Sequence, residues 1–372
     1  MKFLKVSEDC SATRWFPSSS SNSKLPAPLS CTLPVPWTWK FPSLRVWPVS
    51  VSITPAFTVA EALTGSLIST TSLRLSSKNI LELADKLKSK IYFDYNAGKH
   101  TWFRTGGNAK IFAIVEDNLE LEIILNEINN ENFYILGSGS NLLIRDNGYN
   151  GTLIKLGKGF NTIKVNDNKL EVGASILDIN LSNYALRQNI EGFEFYSGIP
   201  GSIGGAVKMN AGCYGSETVD VINSIEICDN FGQRKIITKD KLNLKYRSSK
   251  INNTDIVTKA IFNFNYGDQN LIKDKINEIK NRRLESQPIK NKTSGSTFKN
   301  PENLHAAKLI EEAGCKGTNY GDAYVSDKHA NFLINRGSAS ATDIENLGKS
   351  IVEKVYDKFN IKLEWEVKII GE

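Results

Sequence analysis

Apolar positions recur at helix and strand periods only from about residue 78 of the 372-residue chain onward. SKNILELADKLKSKI places Ile80, Leu81, Leu83, Ala84 and Leu87 at helical spacing behind a candidate cap at Ser77. TWFRTGGNAKIFAIV alternates as strands would around a Gly106-Gly107 turn, NLELEIILNEINN reads as an amphipathic helix, and NFYIL reads as a short apolar strand. Short strands joined by Asn, Asp and Gly turns are expected from LLIRDNGYNGTLIKL to NTIKVNDNKLEVGA, after which ILDINLSNYALRQN restores a helix. VINSIEICDNFGQRKIIT predicts a hairpin about residues 229–232, and DIVTKAIFNFNYG a further strand. Between the two, in LKYRSSK, Tyr246 and Arg247 follow a strand-like segment.

NLIKDKINEIKNRRLESQ and ENLHAAKLIEEAG, the latter stopped by Gly314, read as helices. Thr342 with Glu345 predicts a capping box ahead of the stripe Ile344, Leu347, Ile351, Val352, Val355 and Phe359. The closing KLEWEVKII alternates Leu363, Trp365 and Val367 with Glu364, Glu366 and Lys368, so both glutamates should project from one face of a strand. The pattern as a whole is α+β, with one domain over residues 78–267 and a second over residues 268–372.

Residues 1–77 break this pattern. They hold sixteen of the chain's serines and eight of its 11 prolines, and no apolar period long enough for an element. They read as a disordered or targeting-like extension, serine-rich and acid-poor as organelle transit peptides are, and stand outside the fold. Of the net charge of +6, +5 falls on residues 1–78. The remainder is nearly neutral, which argues against a nucleic-acid partner. No run approaches the roughly 18–20 apolar residues that a membrane-spanning helix needs. The 5 cysteines include no CxxC pair and the 3 histidines do not cluster, so neither a disulfide framework nor a metal site is expected.

Against this background one stretch stands out. From Gly198 to Gly215, in GIPGSIGGAVKMNAGCYG, six of eighteen residues are glycine, threaded with Ile199, Ile203, Val207 and Met209. A flexible linker would carry polar filler instead. Bare backbone among apolar residues suits a large anionic ligand brought up to main-chain N–H groups. A second such loop, Gly137, Ser138, Gly139, Ser140 and Asn141, follows an apolar strand about sixty residues earlier. Leu142 stands where a dinucleotide fingerprint needs its third glycine, and no GK[ST] follows. Alone, GSGSN reads equally as a turn; together the two loops suit a pyrophosphate gripped from both sides.

Three clusters carry further chemistry. Arg247 could grip a carboxylate through its planar fork or form a surface ion pair. Ser296 in TSGSTFKNP, with Lys299 and Asn300, is a nucleophile-bearing loop or a plain turn, and Glu364 and Glu366 are acids of a site or of a solvated face.

FRTGG, GSGSN, GIPGSIGGAVKMNAG, YRSS, GSTFKNP and LEWEV, in this order over residues 79–372, resemble the motifs of the UDP-N-acetylenolpyruvoylglucosamine reductase family. The resemblance implies an FAD-binding domain of the vanillyl-alcohol-oxidase (PCMH) type in two subdomains over residues 78–267, followed by a C-terminal α+β substrate-binding domain. It implies noncovalent FAD, NADPH as cosubstrate, and reduction of UDP-N-acetylglucosamine enolpyruvate to UDP-N-acetylmuramate for peptidoglycan, by a cytoplasmic monomer. By motif match the catalytic positions fall on Arg247, Ser296 and Glu366, with Glu364 the competing glutamate. FAD would be held by Gly137, Ser138, Gly139, Ser140, Asn141, Gly201, Ser202, Gly204 and Gly205, and the substrate by Tyr246, Lys299 and Asn300. Only 49 positions separate Arg247 from Ser296, which resembles the shorter type of the family, without an extra tyrosine loop, and leaves open what covers the bound sugar nucleotide. Two other readings stay open at this point: another flavin oxidoreductase of the same fold, and a nonenzymatic nucleotide-binding module.

Overall fold

The computed structural model describes residues 77–128 and 131–372; the expectation for residues 1–77 falls, apart from Ser77, outside the described residues. The strand Asn108–Val115 buries Ala109, Ile111, Phe112, Ala113 and Val115, a nearly continuous apolar run that needs cover on both faces. It pairs antiparallel with Lys90–Asn96 and parallel with Tyr149–Leu156, and Phe133–Ile135 completes a four-stranded sheet. The helix Asn118–Ile128 makes the crossover and buries Leu121, Ile124, Leu125 and Ile128 on one face. Phe112, Leu142, Ile144 and Leu153 build a smaller core on the other.

A second subdomain is a five-stranded antiparallel sheet in the order Arg234–Thr238, Ile222–Cys228, Ile256–Asn263, Lys169–Gly173, Ile163–Asn166. The helices Asp178–Arg187 and Ile203–Lys208 bury Leu181, Ala185, Ile203 and Val207 in its core. The long helix Gln269–Ser286 buries Ile272, Ile276 and Ile279, the last beside Gly198 of the glycine-rich run. The C-terminal part has a three-stranded sheet, Asn319–Tyr320, Ala323–Val325 and Leu333–Asn335, with the helices Ala306–Glu312 and Ala341–Phe359. Its core takes in Phe103 and Leu143 from the first subdomain.

One pairing matters most for function. The final strand, Lys368–Ile370, leaves the C-terminal part and lies parallel to Leu142–Ile144, directly after the first glycine loop. The chain's last residues are thereby delivered to that loop.

Three local expectations are corrected. Residues 101–107 form turns instead of a strand: the Thr101 hydroxyl donates to the Gly98 carbonyl at 2.8 Å, and Arg104 takes the left-handed region at φ 57°. The capping box of the helix Ala341–Phe359 is made by Ser340 and Asp343; Thr342 instead donates to Asp146, and Glu345 pairs with Arg145. The capping-box spacing occurs twice there, offset by two residues, and tertiary partners claim the second. Tyr246 and Arg247 follow a four-residue helical turn, Lys239–Leu242, which Asn243 ends in the left-handed region. Glu364 and Glu366 flank the antiparallel bridge of Trp365 with Phe298, ahead of the strand Lys368–Ile370, and Lys299 acts on both.

Candidate active site

Where the sheet ends at Leu136 the chain turns through residues 137–141, and none of these five N–H groups has an acceptor among the described residues. The Ser138 hydroxyl donates to that of Ser140 at 3.0 Å. Gly139 stands at φ 72°, with the His100 carbonyl where a Cβ would lie, so its bareness serves chain packing. Gly137 is different: a Cβ there would come within 2.8 Å of Ser202 Oγ. The two glycine loops therefore meet.

On the second loop the N–H groups of Gly201, Ser202 and Gly205 also lack acceptors among the described residues. Gly204 gives its N–H to the Ala174 carbonyl at 2.9 Å, and Gly201 leaves room for the carboxyl of buried Asp178. Gly205 is exposed, its nearest neighbour Ser202 Oγ at 3.8 Å from the place of a Cβ. Gly139, Gly201 and Gly204 are thus bare for the chain's own sake, whereas Gly137 and Gly205 border the space between the loops. A concave row of unspent amides is what a pyrophosphate needs, so the residues present fit FAD.

Asn141 links this cradle to the acid. Its side-chain amide donates to the Glu366 carbonyl at 3.1 Å, and its carbonyl accepts the Lys368 N–H at 3.1 Å. The Glu366 carboxyl, 15% exposed, accepts from Arg247 Nε at 3.0 Å. Burial raises the pKa of Glu366 above the ordinary carboxylate value, and Arg247 offsets this only in part. Arg247 itself sits at φ 50°, donates through Nη2 to the Gly212 carbonyl at 2.9 Å, and keeps a buried Nη1 with no partner. Such an orphaned donor is costly unless something arrives to accept from it.

Ser296 lies in the segment that joins both sides of this site. It bridges Phe332, and the carbonyl of the next residue, Thr297, accepts the Glu366 N–H at 2.8 Å. Asn331 clamps Phe298 in both directions, at 2.9 and 2.8 Å, which fixes the segment's height. The Ser296 hydroxyl has no hydrogen-bond partner among the described residues. Lys299 pairs with exposed Glu364 at 3.1 Å, and the Asn300 N–H donates to the Tyr246 hydroxyl at 3.3 Å. Tyr246, Lys299 and Asn300 therefore form one rim, while Glu364 points to water and Glu366 inward.

Sequence reasoning missed Asn331, the Gly212 carbonyl and Asp178. A backbone acceptor leaves no trace in residue type, and nothing around Asn331 marks it locally. Asp178, with both oxygens buried and unpartnered and its pKa raised well above the usual range by burial, looked like an ordinary helix-start acid.

An amide cradle meeting a half-buried arginine, alcohol and acid defines a nucleotide-cofactor oxidoreductase, and the profile of the FAD binding domain matches residues 109–237. The profile of the UDP-N-acetylenolpyruvoylglucosamine reductase C-terminal domain matches residues 287–370. The chain is 45% identical over 287 residues to the reductase of Rickettsia conorii, covering 77% of this chain and 97% of the relative. It is equally similar, 45% over 288 residues, to that of Rickettsia typhi. The crystal structure of the Thermus caldophilus reductase superposes with a TM-score of 0.67 at 32% identity, covering 77% of this chain and all of that one. This chain belongs to the UDP-N-acetylenolpyruvoylglucosamine reductase family, an FAD-binding oxidoreductase family of peptidoglycan precursor synthesis.

Proposed function

We propose that this chain reduces UDP-N-acetylglucosamine enolpyruvate to UDP-N-acetylmuramate with NADPH, acting as a monomer in the cytoplasm. The observation that carries the reading is the Arg247–Glu366 pair, with its unpaired Nη1 and raised carboxyl, held beside the amide cradle by Asn141. Bound FAD supplies hydride transfer; residues 137–141 with Gly201, Ser202 and Gly205 would hold its pyrophosphate.

The chain's own residues handle charge and proton. When hydride adds to the terminal alkene carbon, negative charge develops on the carboxylate-bearing carbon as an enolate. Arg247 Nη1, joined by the Glu366 carboxyl when it is protonated, would hydrogen-bond that charge from fixed positions, which costs no reorganisation as it forms. The Ser296 hydroxyl, having no partner to lose, rotates to deliver the proton to carbon. Tyr246, Lys299 and Asn300 orient the sugar nucleotide from the rim.

The test mixes the FAD-loaded protein with NADPH in the presence and absence of the enolpyruvyl sugar nucleotide and follows nicotinamide absorbance. Consumption should require the sugar nucleotide. Ser296→Ala should leave flavin reduction by NADPH intact and slow product formation at least about a hundredfold. Equal loss of both half-reactions, or NADPH oxidation indifferent to the sugar nucleotide, would refute the reading.

A further inference from the structure

Two asparagines frame the strand Leu333–Asn335, Asn331 just before it and Asn335 at its end, and both are buried. A buried primary amide is costly unless its oxygen and its nitrogen both find partners. Both do, and in each case the partners are main-chain groups of other segments. The stretch Ser296–Lys299 is the first of these. On one side of it the Thr297 carbonyl accepts the Glu366 N–H and the Lys299 N–H donates to the Glu364 carbonyl, both at 2.8 Å, so the Phe298 N–H and carbonyl face the other way. On that other side Ser296 bridges Phe332, the Thr297 N–H donates to the Asn331 carbonyl at 2.8 Å, and there the backbone pairing ends. The Asn331 side chain takes the place of the next strand residue: Oδ1 accepts the Phe298 N–H at 2.9 Å and Nδ2 donates to the Phe298 carbonyl at 2.8 Å. One amide thus fixes the stretch that carries Ser296 and that receives the backbone of Glu366.

Asn335 reaches toward the cofactor cradle. Its main-chain N–H donates to the Lys292 carbonyl at 2.9 Å, and its Oδ1 accepts the N–H groups of Gly337 at 2.9 Å and Ala339 at 3.1 Å. That leaves Nδ2, which donates to the Phe103 carbonyl at 2.9 Å. Phe103 is fully buried in the turns of residues 101–107, and the N–H of Trp102 beside it donates to the Gly139 carbonyl at 2.9 Å. The first glycine loop is thereby anchored through a carbonyl, while its own N–H groups stay free of acceptors among the described residues.

We propose that the two asparagines are positioning residues for different steps: Asn331 sets the proton donor Ser296 relative to Glu366, and Asn335 sets the first glycine loop for FAD. The assignment of Asn331 rests on the function proposed above. That of Asn335 needs only the cofactor. Neither side chain can be replaced by an apolar one at no cost, because the main-chain groups it satisfies are buried with it.

Half-reactions of the FAD-loaded protein separate the two roles. Asn331→Leu, close in shape but without either hydrogen bond, should slow product formation about ten- to a hundredfold, the scale on which misplacement of a reacting group by up to about 1 Å acts. Flavin reduction by NADPH and KM for the enolpyruvyl substrate should stay within about twofold of the wild type. The slowed step should also show a larger solvent deuterium isotope effect than the wild type, because proton delivery then limits it; lost stability alone would not produce that. Asn331→Asp, which keeps the acceptor for the Phe298 N–H, should fall between the two and guards against a leucine variant that fails to fold. Asn335→Asp keeps the acceptor for Gly337 and Ala339 but loses the donor to Phe103. It should release FAD on dilution at least about tenfold faster, read as free-flavin fluorescence, with kcat at saturating FAD within about twofold. Both half-reactions slowed alike by Asn331→Leu, or FAD held by Asn335→Asp as in the wild type, overturns the proposal. A wild type that never reduces the enolpyruvyl compound refutes the proposed reaction and the role of Asn331 with it, whereas faster FAD release by Asn335→Asp would still support the role of Asn335.

Discussion

Two arginine–glutamate bridges tie the C-terminal part to residues before it, and they are built for different ends. Arg145, just after the strand Leu142–Ile144, meets Glu345 through Nε at 2.8 Å and Nη2 at 3.1 Å, and gives Nη1 to the Gly371 carbonyl at 3.1 Å. Each of its nitrogens is used, and the arginine is 44% exposed while Glu345 is 12% exposed. Arg145 beside it holds the Glu345 carboxyl below the usual carboxylate range. Arg247 is 20% exposed, offers Glu366 a single contact through Nε, and keeps Nη1 without a partner. Here burial wins over the arginine, and the carboxyl is raised. A bridge that spends all its donors is a fastener. One that withholds a donor remains able to receive a substrate's carboxylate.

The largest expected effect separates the two acids. Glu366→Ala should lower kcat about a hundred- to a thousandfold, the size found when one preorganised donor to a developing oxyanion is removed. Glu345→Gln should leave kcat within about twofold, as for loss of a solvent-facing pair. Flavin absorbance of the purified variants reports whether the cradle survives in each. Full turnover by Glu366→Ala would erase the distinction and pass the acid's role to Glu364.

Acidity sharpens the comparison, because the two carboxyls are displaced in opposite directions. The raised Glu366 contributes stability that is fully present below its unfolded value of about 4.3 and is lost as pH rises through its folded value. The depressed Glu345 contributes stability present above about 4.3 and lost as pH falls through its folded value. Urea unfolding across a pH series should therefore show the wild type losing ground to Glu366→Gln on alkalinisation and to Glu345→Gln on acidification. The slope for Glu366 is bounded by about 1.4 kcal/mol per pH unit, and that for Glu345 is smaller because water screens it. Turnover should share the alkaline limb, falling as Glu366 ionises, and Glu366→Gln should lack it. A wild-type rate that rises through the same range would mean the ionised form does the work.

How much of this could be read from the chain depends on what kind of contact each residue makes. The α+β class and most helices and strands follow from apolar periods, because each element buries one face and the period records it. The two glycine loops are visible because bare backbone shows in composition. Their division of labour is not: Gly201 yields to Asp178 and Gly205 borders open space, a difference set by residues far along the chain. Arg247, Ser296 and Glu366 are ordinary residues in ordinary turns until motif resemblance singles them out. Their meeting depends on the pairing of Lys368–Ile370 with Leu142–Ile144, more than two hundred positions earlier, which no local pattern encodes. LEWEV is a partial case: its alternation sets Glu364 and Glu366 about Trp365, but which of them meets Arg247 is decided by tertiary partners.

The smallest effect tests whether the outer bridge only fastens. Arg145→Met keeps the apolar stem and removes three donors, to Glu345 and to the Gly371 carbonyl. Exposed pairs of this kind are worth about 0–1 kcal/mol, so the variant should lose no more than about that in urea unfolding and keep its kcat. Restraint of the terminal strand does not vanish with the side chain, because the Arg145 main-chain N–H still donates to the Ile370 carbonyl at 2.9 Å. That strand carries Glu366 to the cradle, so the prediction has a second edge. If Arg145→Met lowered kcat or released flavin while unfolding at the wild-type urea concentration, the strand's end would be setting the height of Glu366, and the outer bridge would belong to the site.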